Sequence, residues 1–262
     1  MTMRDLLIRG MLVGVLAGLL AFAFARTFGE PDVDRAIAFE ESMHHESEAP
    51  AAADSAAQPM PGMAGMGHDH AADGGEVELV SRPTQAGIGL FTGVMAYSIA
   101  FGGLFALAFG VAWGRVRGVG PKGLAALIAT LGYVVIVVVP QLKYPANPPS
   151  VGQPETIGHR TELFFLMLLA SLVAAGAATW VRAQVARSLG AWNATLVAGV
   201  GFIVVISVAM VALPGINEVP SGFPAQTLWQ FRVASLGTEA ILWLTLGIVF
   251  GFLTERHIAD RR

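Results

Sequence analysis

The 262-residue chain is 54% hydrophobic and only 13% charged, with a mean hydropathy of +0.61 and a formal net charge of −3. A soluble domain carries about 25% charged residues, so a deficit concentrated in long uncharged runs describes an integral membrane protein. Cysteine is absent, which excludes disulfides, thiolate zinc sites and iron–sulfur clusters.

Apolar runs at about 6–25, 87–113, 123–142, 163–181, 192–213 and 233–253 predict six spans. Each is long enough, at ~1.5 Å per residue, to cross a ~30 Å hydrocarbon layer. They imply an all-α, polytopic membrane helix bundle that forms a single membrane domain over 1–262. The first run has a second reading. Arg4 and Arg9 precede an apolar stretch that ends Ala-Phe-Ala before Arg26, the pattern of a cleaved secretory leader. The run is long for such a leader, and Gly10, Gly14 and Gly18 recur every fourth residue as on a packed helix. Retention as a transmembrane helix is the expectation.

With the N-terminus inside, ten Lys and Arg fall in the inner segments and six in the much longer outer ones. The bias places both termini in the cytoplasm. The first outer segment, 26–86, is then a long extracytoplasmic loop. It gathers four of the six histidines (His44, His45, His68, His70) and Met43, Met60, Met63 and Met66, with Glu40, Glu41 and Asp69 nearby. Imidazole suits Co²⁺, Ni²⁺ and Cu²⁺, carboxylates add harder ligands, and thioethers favour Cu(I). Its Ala- and Pro-rich centre, APAAADSAAQPMPG, is expected to lack fixed structure.

The inner segment after the second run spells G-x-G-x-x-G at Gly118, Gly120 and Gly123. It sits between membrane runs with no βαβ unit around it, and there is no Walker loop, so no nucleotide or nucleic-acid partner is expected. The third run meets Pro140 and the fifth meets Pro214, each opening a Pro-rich segment. Arg82, Arg160 and Arg232 each precede the following run, and Pro-Thr pairs stand before the last two at similar offsets. This suggests three related helical hairpins, although Pro ends helices and Arg anchors interfaces in any case. Asn193 matches a glycosylation sequon at a cytoplasmic end, and His257 reads as a solvated tail residue.

In the last run, Glu239 is the only acidic or basic side chain well inside a predicted span. Such a group faces a partner or a wet cavity. Arg232, seven residues earlier, lies on a similar face about 10 Å further out, and is expected to pair with a loop carboxylate, Glu218 or Glu155. Glu239 is expected to face the bundle interior.

The segments FGEPDVDRAIAFEE (28–41), LVSRPTQAGIGL (79–90), LKYPANPPSVGQPETIGHRT (142–161) and LPGINEVPSGFPAQTLWQFRVASLGT (213–238) closely resemble the CbtA family. These are cobalt-transporter subunits of bacteria associated with cobalamin biosynthesis and with a small His-bearing membrane partner, CbtB. The matching polar positions are Glu30, Asp34, Glu40 and Glu41, then Arg82 and Gln85, then Lys143, Tyr144, Asn147, Glu155, Thr156 and Arg160, then Asn217, Glu218, Trp229 and Arg232. The resemblance implies a multi-pass protein of the cytoplasmic (inner) membrane that takes up Co²⁺, with Ni²⁺ or copper as alternative cations. The methionines at 60–66 lie outside it and keep a copper-handling role open, as the acidic loop keeps a membrane scaffold or sensor. No span carries a catalytic constellation, so an enzyme is not expected, nor a tightly bound cofactor.

Overall fold

A computed structural model describes residues 2–53, 80–116 and 118–260, apart from the side chains of His44 and residues 46–53. Met60, Met63, Met66, His68, Asp69 and His70 therefore lie outside the described residues. Among those described, every regular element is helical.

Helix α1 (Met3–Phe24) begins on a capping box, with the Thr2 hydroxyl accepting from the Asp5 amide and the Asp5 carboxylate from the Thr2 amide. The pair satisfies two backbone donors that the first turn leaves without partners. A wide turn, Ala25–Gly29, then leads straight into α2 (Glu30–Ala53). The segment expected as loop from residue 26 thus starts as a continuation of the first helix. A short turn at Arg82 opens α3 (Arg82–Ala112), followed by α4 (Pro121–Lys143), α5 (Pro154–Ala212) and α6 (Ala225–Ala259). Among the described residues, five helical runs are long and apolar enough to cross a membrane: α1 with the start of α2, then α3, α4, α5 and α6.

Six spans were expected and five runs are found because the fourth and fifth expected spans both lie within α5. That helix is broken at Gly190, whose φ of 77° and ψ of 163° are not helical. The left-handed φ is open to glycine at little cost. The Arg182 guanidinium donates to the Thr195 hydroxyl at 2.9 Å. Thirteen residues of straight helix would hold them about 20 Å apart, so the arms fold towards each other. Leu163, Met167 and Ala174 from one arm share a buried cluster with Ile206 from the other.

The core forms where α1 crosses α3. A Cβ added at Gly10 would overlap the Gly102 carbonyl, and one at Gly14 would lie 2.5 Å from the Ser98 carbonyl oxygen. The glycine spacing read from the sequence is what lets these backbones approach. Phe105 and Phe109 of α3, Leu124, Ala129 and Val137 of α4, and Leu242, Trp243, Leu246 and Phe250 of α6 extend this core.

Pro140 does not end α4 at once. It has no N–H to give and crowds the preceding turn, and the helix widens over Tyr133–Val138 to accommodate it. A carbonyl loosened there, that of Val135, accepts from the buried Ser171 hydroxyl of α5 at 2.7 Å.

Candidate functional site

The polar positions of the Pro-rich segments gather at one end of the bundle, where α2 lies across them. Ala36 of α2 is buried with Val151 and Phe223, and the Phe39 and Phe223 rings meet edge to face at 5.1 Å. Ser150, itself at a left-handed φ of 70°, donates to the Ala36 carbonyl and lies 2.9 Å from a Glu40 carboxylate oxygen. Arg35 donates to Gln230 of α6 at 2.6 Å and pairs with the buried Asp32 at 2.9 Å. One helix thereby ties both Pro-rich segments to the start of α6.

Each arginine singled out in the sequence is anchored differently. Arg82 holds Asp34 through two nitrogens, at 2.8 and 3.2 Å, and also pairs with the buried Glu30. Glu30 and Asp34 are one turn apart on α2, so a single guanidinium spans them. Arg160 donates to the carbonyls of Val151 and Gln153 and lies 3.5 Å from Glu218. Its head occupies the space a Cβ would fill at Gly152, whose φ is +115°. Glu218 accepts from the Gln153 amide at 2.9 Å and the Thr156 hydroxyl at 2.8 Å. The Gln153 amide, then Thr156, with Arg160 and His159 adding charge, hold the Glu218 carboxyl below the usual carboxylate range.

The expected carboxylate partner of Arg232 is a correction. Arg232 donates to the Asn147 side chain at 2.8 Å and the Ala146 carbonyl at 3.3 Å, because Glu218 is committed to the neighbouring loop.

The remaining predicted positions scatter. The Tyr144 hydroxyl donates to the Pro214 carbonyl at 2.8 Å, and the Lys143 ammonium sits 5.8 Å from the Tyr144 ring centre. Gln85 donates to the Val80 carbonyl. Glu41, His45, Glu155, Asn217 and Trp229 are exposed. Beside Arg160 a cavity of about 300 Å³ is lined by Tyr144, Asn147, Val151, Phe164 and Ile216 among others. Among the described residues no three His, Asp or Glu side chains are grouped to hold a metal ion.

Inside the bundle, Glu239 of α6 meets two other helices. Tyr97 of α3 lies against its carboxyl group and Tyr133 of α4 is within its electrostatic reach. Its Oε2 is shielded from solvent and accepts no hydrogen bond among the described residues.

A family model described as "Probable cobalt transporter subunit (CbtA)" matches residues 3–255, nearly the whole chain. The chain belongs to the CbtA family. No curated protein and no solved structure gave a match. In this CbtA chain, sequence reasoning missed Asp32, Arg35, Ser150 and Gln230, which weld α2 to the loops, and the two tyrosines beside Glu239. Only Asp32 and Arg35 carried a signal, lying within the charged stretch that runs on from α1.

Proposed function

We propose that this CbtA chain is an inner-membrane subunit for uptake of a transition-metal cation, with Co²⁺ as its substrate. The family match across 3–255 carries the reading. The chain crosses the membrane six times, with both termini in the cytoplasm and three helical hairpins. The Gly190 break and the Arg182–Thr195 hydrogen bond support counting α5 as two spans. The segment 26–86 faces outward. Its His44, His45, His68 and His70, with Asp69, Glu40, Glu41 and the methionines, capture hydrated metal. The cap of α2 and the Pro-rich segments guides it to Glu239. A small partner of the CbtB type completes the transporter, in keeping with the family's description as a subunit.

Radiolabelled Co²⁺ uptake into proteoliposomes, with and without that partner, tests the reading. Replacing the four loop histidines with Ala weakens uptake mainly at low metal concentration, because capture sets apparent affinity more than turnover. Uptake unchanged across all concentrations removes the loop from the mechanism. A reporter active only outside the cytoplasm works near Ala64 and fails after Arg262, and the opposite pattern overturns the orientation. Met60, Met63 and Met66 favour a second reading, Cu(I) capture without transport. Displacement of Co²⁺ from the full-length protein by Cu(I), with no uptake of either ion, would establish it.

A further inference from the structure

The Tyr133 hydroxyl donates to the Leu236 carbonyl at 3.2 Å. Its proton is committed, so it can offer Glu239 only lone pairs. Tyr97 approaches the carboxyl group from α3, while Oε2 accepts no hydrogen bond. Oxygen atoms from three helices thus converge with an unclaimed acceptor among them. A buried carboxylate of this kind needs a positive partner.

The surroundings supply none among the described contacts. From α1, Phe24 packs over Gly237. From α3 and α4 the facing titratable groups are Tyr97 and Tyr133. On α6 itself Arg232 is about 10 Å away along the helix and is held by Asn147 and Ala146. What remains is a proton or a metal cation. Phenol and carboxyl oxygens are hard donors that favour ions such as Mg²⁺ or Mn²⁺, and without nitrogen or sulfur they hold a borderline ion such as Co²⁺ weakly enough for release.

We propose that Glu239, with Tyr97 and Tyr133, is an intramembrane cation site at which one proton and the transported divalent metal displace each other. The carboxylic acid gives up its proton as the metal binds, and the carboxylate takes a proton back as the metal leaves. No electron moves and no covalent bond other than O–H changes. The inference rests on the uptake reading for the passage of metal, but binding at the site can be measured without transport.

The test is labelling of the full-length protein by dicyclohexylcarbodiimide, an apolar reagent that adds intact to a protonated carboxyl group and leaves an N-acylurea detectable by mass. The peptide carrying Glu239 gains this mass, Co²⁺ slows the gain several-fold, and Glu239→Gln abolishes it. Tyr97→Phe still labels, but requires more Co²⁺ for the same protection. Absence of label on Glu239, or labelling that Co²⁺ does not slow, overturns the site. Uptake on the same preparation separates the two ideas. Uptake without protection refutes the site and leaves the transport reading standing, whereas protection without uptake does the reverse. Lowering the outside pH slows wild-type uptake through competition for Glu239, and a wild-type profile identical to that of Glu239→Gln also overturns the exchange.

Discussion

Gly14→Ala tests how closely α1 and α3 must approach. The new Cβ would stand 2.5 Å from the Ser98 carbonyl oxygen and 2.9 Å from the Ile99 Cα. Close carbon–oxygen contacts begin near ~3.3 Å, so the helices must part by about 0.8 Å. Both obstacles are backbone and cannot rotate aside. A gap of ~0.5–1 Å forfeits a quarter to a half of the dispersion energy of the atoms it separates, and overpacking of a tight contact costs ~1–3 kcal/mol. At ~2–4 °C per kcal/mol for a chain of this size, the melting temperature in detergent falls by about 2–12 °C, followed by tryptophan fluorescence. Gly10→Ala strains the same crossing. Once the helices have parted for one methyl the second needs less room, so the double variant loses less than the sum of the singles. Gly93→Ala, with open space around its Cβ, is the control and melts like the wild type. Wild-type melting of Gly14→Ala, or strict additivity with Gly10→Ala, would refute the close-packing argument.

Gly152→Ala meets both a left-handed φ and the Arg160 guanidinium; the φ alone costs ~1–3 kcal/mol, and the loss shrinks in an Arg160→Ala background only by the part due to the clash. Arg82→Ala leaves the buried Glu30 only the longer pair with Arg26 at 3.9 Å and costs up to about 3 kcal/mol, the lower end for a buried pair because Arg82 is partly exposed. Hydrogen exchange across 30–40 then accelerates, and Glu30→Gln in the same chain restores part of the protection. The Glu218 carboxyl is held below its ordinary value of 4.5. Its contribution is therefore complete above the unfolded-state value and disappears as the pH falls through the lowered folded one. The difference in melting temperature between wild type and Glu218→Gln stays constant from neutral pH down to about pH 5 and narrows below that. A difference that narrows instead above pH 6 would show that Glu218 is not the group responsible.

The apolar runs announced most of the fold because lipid allows a span little besides length and hydrophobicity. Gly10, Gly14 and Gly18 were legible for a related reason, since a four-residue spacing on one helix maps directly onto one face. α2 was not legible as a helix. Its hold on the rest is mostly polar, through Glu30, Asp34, Arg35 and Glu40, and Ala36 and Phe39 are too few to print a helical apolar pattern. The partners lie far away in sequence, 195 residues separating Arg35 from Gln230, and nothing local marks either member. The doubled α5 has a similar origin. Residues 182–191 hold two arginines and a serine but no proline, so the helix runs on until Gly190 breaks it. Glu239 stood out as a charge in an apolar run. Tyr97 and Tyr133 did not, because an uncharged phenol within an apolar run carries no comparable signal, and their partner on α6 is more than a hundred residues away.

The wide turn at Ala25–Gly29 fixes an angle. Its hydrogen bonds reach one residue further than those of an α-helix, so it uses one extra residue and sets the azimuth of α2 relative to α1. Each residue of helix turns the chain by about 100°. Removing one residue there, with α1 held by its glycines, would swing Glu30 and Asp34 away from Arg82 and carry Ala36 and Glu40 off Ser150. The distance along the chain from Gly18 to Ala36 therefore encodes a phase, and the cap formed by α2 closes only at one value of it.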